Sequence, residues 1–126
     1  MHLHQSGEDY LEAILELRQE RGQVRSIDVA QKLGFSKPSV SRAMAILRTD
    51  GYITVEPSGA IVLTESGERV ARTMLERHQL LTQWLVSLGV SPWVAAKDAC
   101  RMEHALSEET FACIKAHLGV INETEE

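Results

Sequence analysis

The stretch from Ser26 to Leu63 constrains this chain more than any other, because helix starts, stops and a hairpin signal follow one another with little slack. Ser26 is a good N-cap for a short helix over 27–33, and Gly34 stops it. Ser36 caps a second helix whose first turn holds Pro38, where a missing N–H costs little. That helix runs to about Asp50, with Val40, Ala43, Met44 and Leu47 on its inner face, and Gly51 ends it. Two β-rich runs follow, over 52–56 and 60–63, separated by Pro57-Ser58-Gly59. Ahead of all this, Tyr10, Leu11, Ile14, Leu15 and Leu17 recur at helical spacing over 8–21, and Gly22 closes that helix. Helix, short helix, glycine turn, helix and hairpin is the order of a winged helix-turn-helix. The expected class is therefore mainly α, with a small β-hairpin as the wing.

In that arrangement the 27–33 helix lies across the DNA backbone, and the Ser36-capped helix enters the major groove by its N-terminal end. This end carries Ser36, Lys37, Ser39, Ser41 and Arg42. Hydroxyls and cations of this kind suit phosphate oxygens and base edges. The same polar face would also suit a winged helix that docks on proteins. The net charge of −5 argues against a general nucleic-acid binder, but the charge is unevenly spread. Residues 22–60 hold five basic side chains against three acids, whereas residues 98–126 hold seven acids and two bases. A mildly basic middle beside acidic ends fits a protein that touches phosphates with one part only.

Beyond the hairpin, Thr64 caps a long helix to about Leu88, and Ser91-Pro92 opens another through about Leu106. Ser107-Glu108-Glu109 opens a last helix ending near Leu118-Gly119, with a frayed tail from Asn122. Here polar residues occupy positions where a simple core wants apolar ones. His78 lies on the stripe made by Val70, Met74, Leu81 and Leu85, a place more often filled by a hydrogen-bonded core histidine than by a ligand. Cys100, Glu103 and His104 sit at i, i+3 and i+4, on one helix face. A thiolate, a carboxylate and an imidazole on one face can hold a divalent transition metal. Asp9 and Glu12 also share a face, though charges at that spacing usually point to solvent. Taken together, on three helices, these residues say more than any one of them.

The chain resembles the diphtheria-toxin-repressor and manganese-transport-regulator family of metal-dependent repressors, over about residues 6–118. The residues that carry the resemblance begin with Glu8-Asp9-Tyr10-Leu11-Glu12, Ser36-Lys37-Pro38-Ser39-Val40-Ser41 and Asp50-Gly51-Tyr52. They continue with Leu63-Thr64-Glu65-Ser66-Gly67, Arg77-His78 and the distinctive Ala99-Cys100-Arg101-Met102-Glu103-His104-Ala105-Leu106-Ser107. The resemblance implies a winged helix-turn-helix DNA-binding domain over 1–63, then a helical metal-binding and dimerisation domain over 64–126. It implies metal ligands at Asp9, His78, Cys100, Glu103 and His104, with Glu12 added as in the manganese-sensing branch. It also implies that Pro38, Ser39 and Arg42 face bases or the sugar-phosphate chain. The ion implied is manganese(II) or iron(II), with cobalt(II), nickel(II) or zinc(II) as laboratory substitutes. The output implied is repression of metal-uptake genes, from a near-palindromic operator bound by a homodimer.

Three departures from the family pattern stand in the sequence. The iron-sensing branch often has methionine at the position of Asp9, and many manganese regulators have glutamate at that of Cys100, so this site is a hybrid. An ancillary iron-branch site would need glutamate at Thr82 and histidine at Ala96. The SH3-like third domain of long members is expected to be absent.

Other classes receive little support. There is no phosphate loop, nucleophile elbow or HExxH pair, and a carboxylate beside Cys100 disfavours a thiolate nucleophile. No apolar run reaches the roughly 18 residues needed to cross a bilayer, and the N-terminus, with His2 and His4, does not read as a signal peptide. Two cysteines suggest a reducing, cytoplasmic setting, with Cys113 a small buried hydrophobe. Apolar Trp93, Val94, Leu106, Phe111 and Ile114 exceed what a short helical layer covers alone, which points to a homodimer. A winged-helix regulator that needs no metal is the main alternative.

Overall fold

The computed structural model describes residues 3–125, with side chains as far as Gly119; Met1, Glu126 and the His2 of the N-terminal histidine pair lie outside the described residues. Among the described residues, six helices and one hairpin follow in the order α1 (Gln5–Arg21), α2 (Ser26–Leu33), α3 (Lys37–Thr49), β1 (Ile53–Val55), β2 (Ile61–Leu63), α4 (Glu65–Ser87), α5 (Pro92–Ala105) and α6 (Glu108–Glu125). They form two compact units, Met1–Met74 and Leu75–Glu126, with the boundary inside α4.

The first unit is the winged helix-turn-helix. Tyr10, Leu11, Ala13, Ile14, Leu15 and Leu17 of α1 are buried, with Val29 and Ala30 of α2 and Val40, Met44 and Leu47 of α3. In the wing Ile61 and Leu63 turn inward around the exposed Val62, the alternation expected of a half-buried strand, while in β1 Ile53 is buried and Thr54 and Val55 are exposed. The strands are antiparallel, with Ile53 opposite Leu63. The Ile61 N–H also donates to the Val24 carbonyl at 2.7 Å, so the α1–α2 connection lies beside the wing's inner strand. That pairing has no periodic signature in the sequence.

Most helix ends fall where the caps place them. Gly22 and Gly34 close α1 and α2 with positive φ of 85° and 72°. The Ser36 side chain accepts the Ser39 N–H at 3.3 Å, and Thr64 accepts the Gly67 N–H at 3.2 Å. Three ends differ. α2 begins at Ser26 with Arg25 as its cap, because the Asp28 carboxylate accepts the Arg25 N–H at 2.9 Å and extends the helix by one residue. α1 starts a turn early, at Gln5, where Gly7 leaves room for the Leu3 side chain. α6 continues through Gly119 to Glu125, past the expected stop, since no proline or cap interrupts it.

The first turns of α4 belong to the first unit for a steric reason. A Cβ on Gly67 would sit 2.0 Å from the Tyr52 carbonyl oxygen, so only glycine lets α4 approach the wing this closely. Thr64 reinforces the junction by donating its hydroxyl to the Gly51 carbonyl at 2.7 Å. Arg18 of α1 forks onto the Glu68 carboxylate, with one of the two bonds at 2.8 Å.

The second unit comprises the rest of α4 with α5 and α6. Its buried side chains include Leu81, Ala95, Ala99 and Phe111, but also Arg77 and Glu103. Trp93 is 71% exposed and Val94 is exposed too, with Leu88 nearby in sequence at 65%. Phe111, expected on an outer face, is buried instead because the Arg77 guanidinium covers its ring at 5.2 Å. Cys113 is exposed rather than buried, on the outer face of α6. Among the described residues no helix is long and apolar enough to cross a membrane.

Candidate metal centre and nucleic-acid interface

In the first unit the start of α3 is a surface built for anions. Ser36, Lys37, Pro38, Ser41 and Arg42 are exposed and Ser39 is half-buried. No acid occupies the first turn of α3, so the positive end of the helix dipole is reinforced by Lys37 and Arg42. The hydroxyls form a short relay, Ser36 Oγ donating to Ser39 Oγ at 2.9 Å and Arg42 reaching the same Ser39 oxygen at 3.4 Å. All six residues expected to meet DNA thus lie on or beside one helix end. The wing tip is different: Glu56, Pro57 and Ser58 bring no cation, and Gly59 turns the chain at φ 91°.

In the second unit three of the expected ligands share one turn of α5, with Glu103 buried, His104 half-buried and Cys100 exposed. One donor atom from each of Cys100, Glu103 and His104 lies within 4.8 Å of the others. The fourth, His78 of α4, brings Nδ1 to 3.0 Å from Glu103 Oε2. Glu103 is fully buried, and its Oε1 has no hydrogen-bond partner among the described residues; the His104 Nε2 stands 3.4 Å away. A fully buried carboxylate with one oxygen unsatisfied costs several kcal/mol unless a cation meets it.

The donor set fits a divalent transition ion. Two donors each about 2.1 Å from one ion, at right angles, stand about 3 Å apart, the separation seen between His78 and Glu103. Imidazole nitrogen, carboxylate oxygen and thiolate sulfur together suit the iron-to-zinc range, with oxygen drawing the set toward manganese. Asp9 and Glu12 both lie on α1, and Glu12 is only 5% exposed, unlike the solvent-facing charge its spacing suggests.

The sequence singles out Arg77 only as the neighbour of His78 in the family resemblance and assigns it no role. Arg77 is 6% exposed and donates Nη1 to two main-chain carbonyls, Glu103 O at 3.0 Å and Leu106 O at 2.8 Å. The available sign was positional: Arg77 falls between Met74 and Leu81 on the buried stripe of α4, where a long charged side chain requires internal partners.

With the geometry of both regions in view, residues 2–61 match the family described as iron dependent repressor, N-terminal DNA binding domain. Residues 64–126 match the iron dependent repressor, metal binding and dimerisation domain. The chain belongs to the iron-dependent repressor family. It is 43% identical over 104 residues to the transcriptional regulator MntR of Escherichia coli O6:H1, an alignment covering 82% of this chain and 67% of that protein. An HTH-type transcriptional regulator of Methanocaldococcus jannaschii is 34% identical over 115 residues, 90% of this chain and 92% of that one. Among solved structures, a manganese-dependent transcriptional repressor in complex with manganese superimposes with a TM-score of 0.81 at 33% identity. That match covers 90% of this chain and 52% of the solved one, so the present chain spans about half its length. Like other members of the family, the chain carries a DNA-binding part followed by a metal-binding and dimerisation part.

Proposed function

We propose that this chain is a divalent-metal-activated transcriptional repressor that binds DNA as a homodimer and controls metal-ion uptake genes. The observation that carries the reading is Glu103: a fully buried carboxylate, touched by His78 and flanked on its own helix by Cys100 and His104, in a chain that also presents an exposed recognition-helix terminus. The proposed ligands are His78, Cys100, Glu103 and His104, with Asp9 and Glu12 added from the family resemblance.

In the metal-free chain the carboxylates of this set repel one another. When bound, the ion supplies the positive charge that cancels this repulsion. Because Asp9 and Glu12 belong to the helix-turn-helix part, their engagement biases the chain toward the arrangement competent for DNA. Lys37 then meets phosphate, while Arg42, with Ser36, Pro38, Ser39 and Ser41, meets base edges or the sugar-phosphate chain. Two recognition helices in a dimer imply half-sites about one helical turn apart and a near-palindromic operator. Exposed Trp93, Val94 and Leu88 are the apolar side chains proposed to meet the second copy.

The proposed physiological ion is manganese(II) or iron(II), with cobalt(II), nickel(II) and zinc(II) able to substitute. Oxygen-rich donors admit manganese, whereas the Cys100 sulfur raises the relative affinity for iron and later metals. A gel-shift titration on the DNA upstream of the chain's own gene, with each divalent metal in turn and with chelator, tests the whole reading. Binding that appears with metal and is lost in chelator supports it. Equally tight binding in chelator overturns metal activation and leaves a metal-independent winged-helix regulator.

A further inference from the structure

Arg77 and His78 are neighbours in sequence on α4, and both act on the same residue of α5. His78 meets the Glu103 side chain through Nδ1 and Oε2 at 3.0 Å, while Arg77 grips the Glu103 main-chain oxygen at 3.0 Å. The same Arg77 nitrogen reaches Leu106 O at 2.8 Å, one residue past the end of α5. Carbonyls in the last turn of a helix have no intrahelical partner, and a buried guanidinium is among the few groups able to satisfy two of them. The guanidinium also lies over the Phe111 ring of α6 at 5.2 Å, so hydrogen bonds and ring contact together hold the side chain. On the far side of the turn, Ser107 accepts the Thr110 N–H at 3.1 Å and starts α6.

We propose that Arg77 is a positioning residue for the metal centre, setting where the Glu103 and His104 donors stand by pinning the C-terminal turn of α5. This inference rests on the metal-activated reading above. Metal ligands must be held to within about 0.5 Å of the productive geometry, and that precision comes from the groups behind them. An unpinned α5 terminus would fray, since its last carbonyls would lose their donors, and the residues that fray first are the two ligands. Arg77 donates to the Glu103 and Leu106 main-chain oxygens, so its effect reaches the ligands through the backbone of α5.

The test is a cobalt(II) titration of the full chain, read by visible absorption, for the parent, Arg77→Met and Arg77→Lys, with metal-free folding followed by circular dichroism. Methionine keeps the length and apolar stem of arginine but donates nothing, and lysine restores donors without the planar fork. The expected order of affinity is parent, Arg77→Lys, then Arg77→Met. The methionine variant should be weaker by about tenfold or more, in the range seen when the partners of metal ligands are removed. Its ligand-field spectrum is expected to shift as well, a change that a loss of stability alone would not produce. A folded Arg77→Met with parental affinity and spectrum overturns the inference. If that variant does not fold, Arg77→Lys decides, and parental affinity and spectrum there overturn it equally. A parent chain that binds no cobalt, manganese or iron overturns the metal-activated reading, and this inference with it.

Discussion

In the first unit the residues proposed to meet DNA lie at the surface, and the interior beneath them is apolar apart from Glu12 of α1. In the second unit one proposed ligand, Glu103, and the arginine behind it, Arg77, are part of the interior itself. Among the described residues, every buried hydrophobic side chain except Leu81, Ala95, Ala99 and Phe111 belongs to the first unit. Of the buried charged side chains, Arg77 and Glu103 belong to the second unit and Glu12 to the first. An apolar core holds its shape without a ligand, whereas buried charges are tolerated only when each meets a partner. The contrast teaches that the first unit is limited by packing and the second by the satisfaction of charge, and each limit can be attacked separately.

The largest loss is expected at Gly67, where packing is tightest. Gly67→Ala would drive a methyl to 2.0 Å from the Tyr52 carbonyl, a backbone atom that cannot swing aside. Separating α4 from the wing is expected to cost about 3 kcal/mol, at the upper end of overpacking. Urea unfolding at equal metal content measures it. An unchanged midpoint would break the argument that this junction is limited by packing.

The second unit is expected to behave in the opposite sense. Glu103→Gln keeps the shape of the side chain and removes its charge. In chelator the variant is expected to melt no lower than the parent, because a buried carboxylate is itself costly. Its affinity for manganese or cobalt is expected to fall at least about tenfold, or about 1.4 kcal/mol. Thermal melts with and without metal read both effects. A large loss in chelator would show that Glu103 serves the core first and the metal second.

The same contrast explains what the sequence disclosed. The first unit was legible because local rules govern it: Ser36 and Thr64 cap, Gly22 and Gly34 stop, and the inward residues of α1 and α3 recur at helical spacing. Its unread features are pairings between distant segments, such as Val24 with Ile61, Arg18 with Glu68 and Gly67 with Tyr52. In the second unit the cluster of Cys100, Glu103 and His104 was visible as a face of one helix, and the resemblance added His78. The support was not visible, because Arg77 acts on carbonyl oxygens, and a main-chain acceptor leaves no mark on residue type. The burial of Phe111 was not visible for a different reason: its cover is a guanidinium from another helix, a pairing between distant segments.

A smaller effect separates the roles of two cations at the recognition surface. Arg42→Ala is expected to cost about 1–3 kcal/mol on the operator and to relax sequence preference, as loss of a base contact does. Lys37→Ala is expected to weaken all sequences alike and to flatten the salt dependence by about one unit of slope. Fluorescence anisotropy on operator and random duplexes over a salt series measures both. Metal affinity is expected to stay at the parental value in either variant, and a change there would break the separation between the units.

The smallest expected effect is electrostatic and lies inside the apolar unit. The hydrogen bond from Arg18 holds the Glu68 carboxyl below its ordinary value of 4.5, with help from the charges of Arg18 and Arg72 and against the opposing influence of burial. A carboxylate whose folded value is depressed contributes stability above its unfolded value and loses it as the pH falls through the folded one. Both side chains retain about a third of their exposure, so water screens the pair and its worth is about 0.5 kcal/mol. Arg18→Met is therefore expected to lower stability by about that amount at pH 7 in low salt. The difference from the parent is expected to shrink below pH 4.5 and to vanish once Glu68 is protonated in both chains. Urea midpoints of the two proteins between pH 7 and pH 2 trace it, because every other carboxylate titrates alike in both and cancels. A difference that persists at low pH would mean that Arg18 acts through the packing of its apolar stem rather than through its charge. In that case the first unit would be held by packing even where it displays an ion pair.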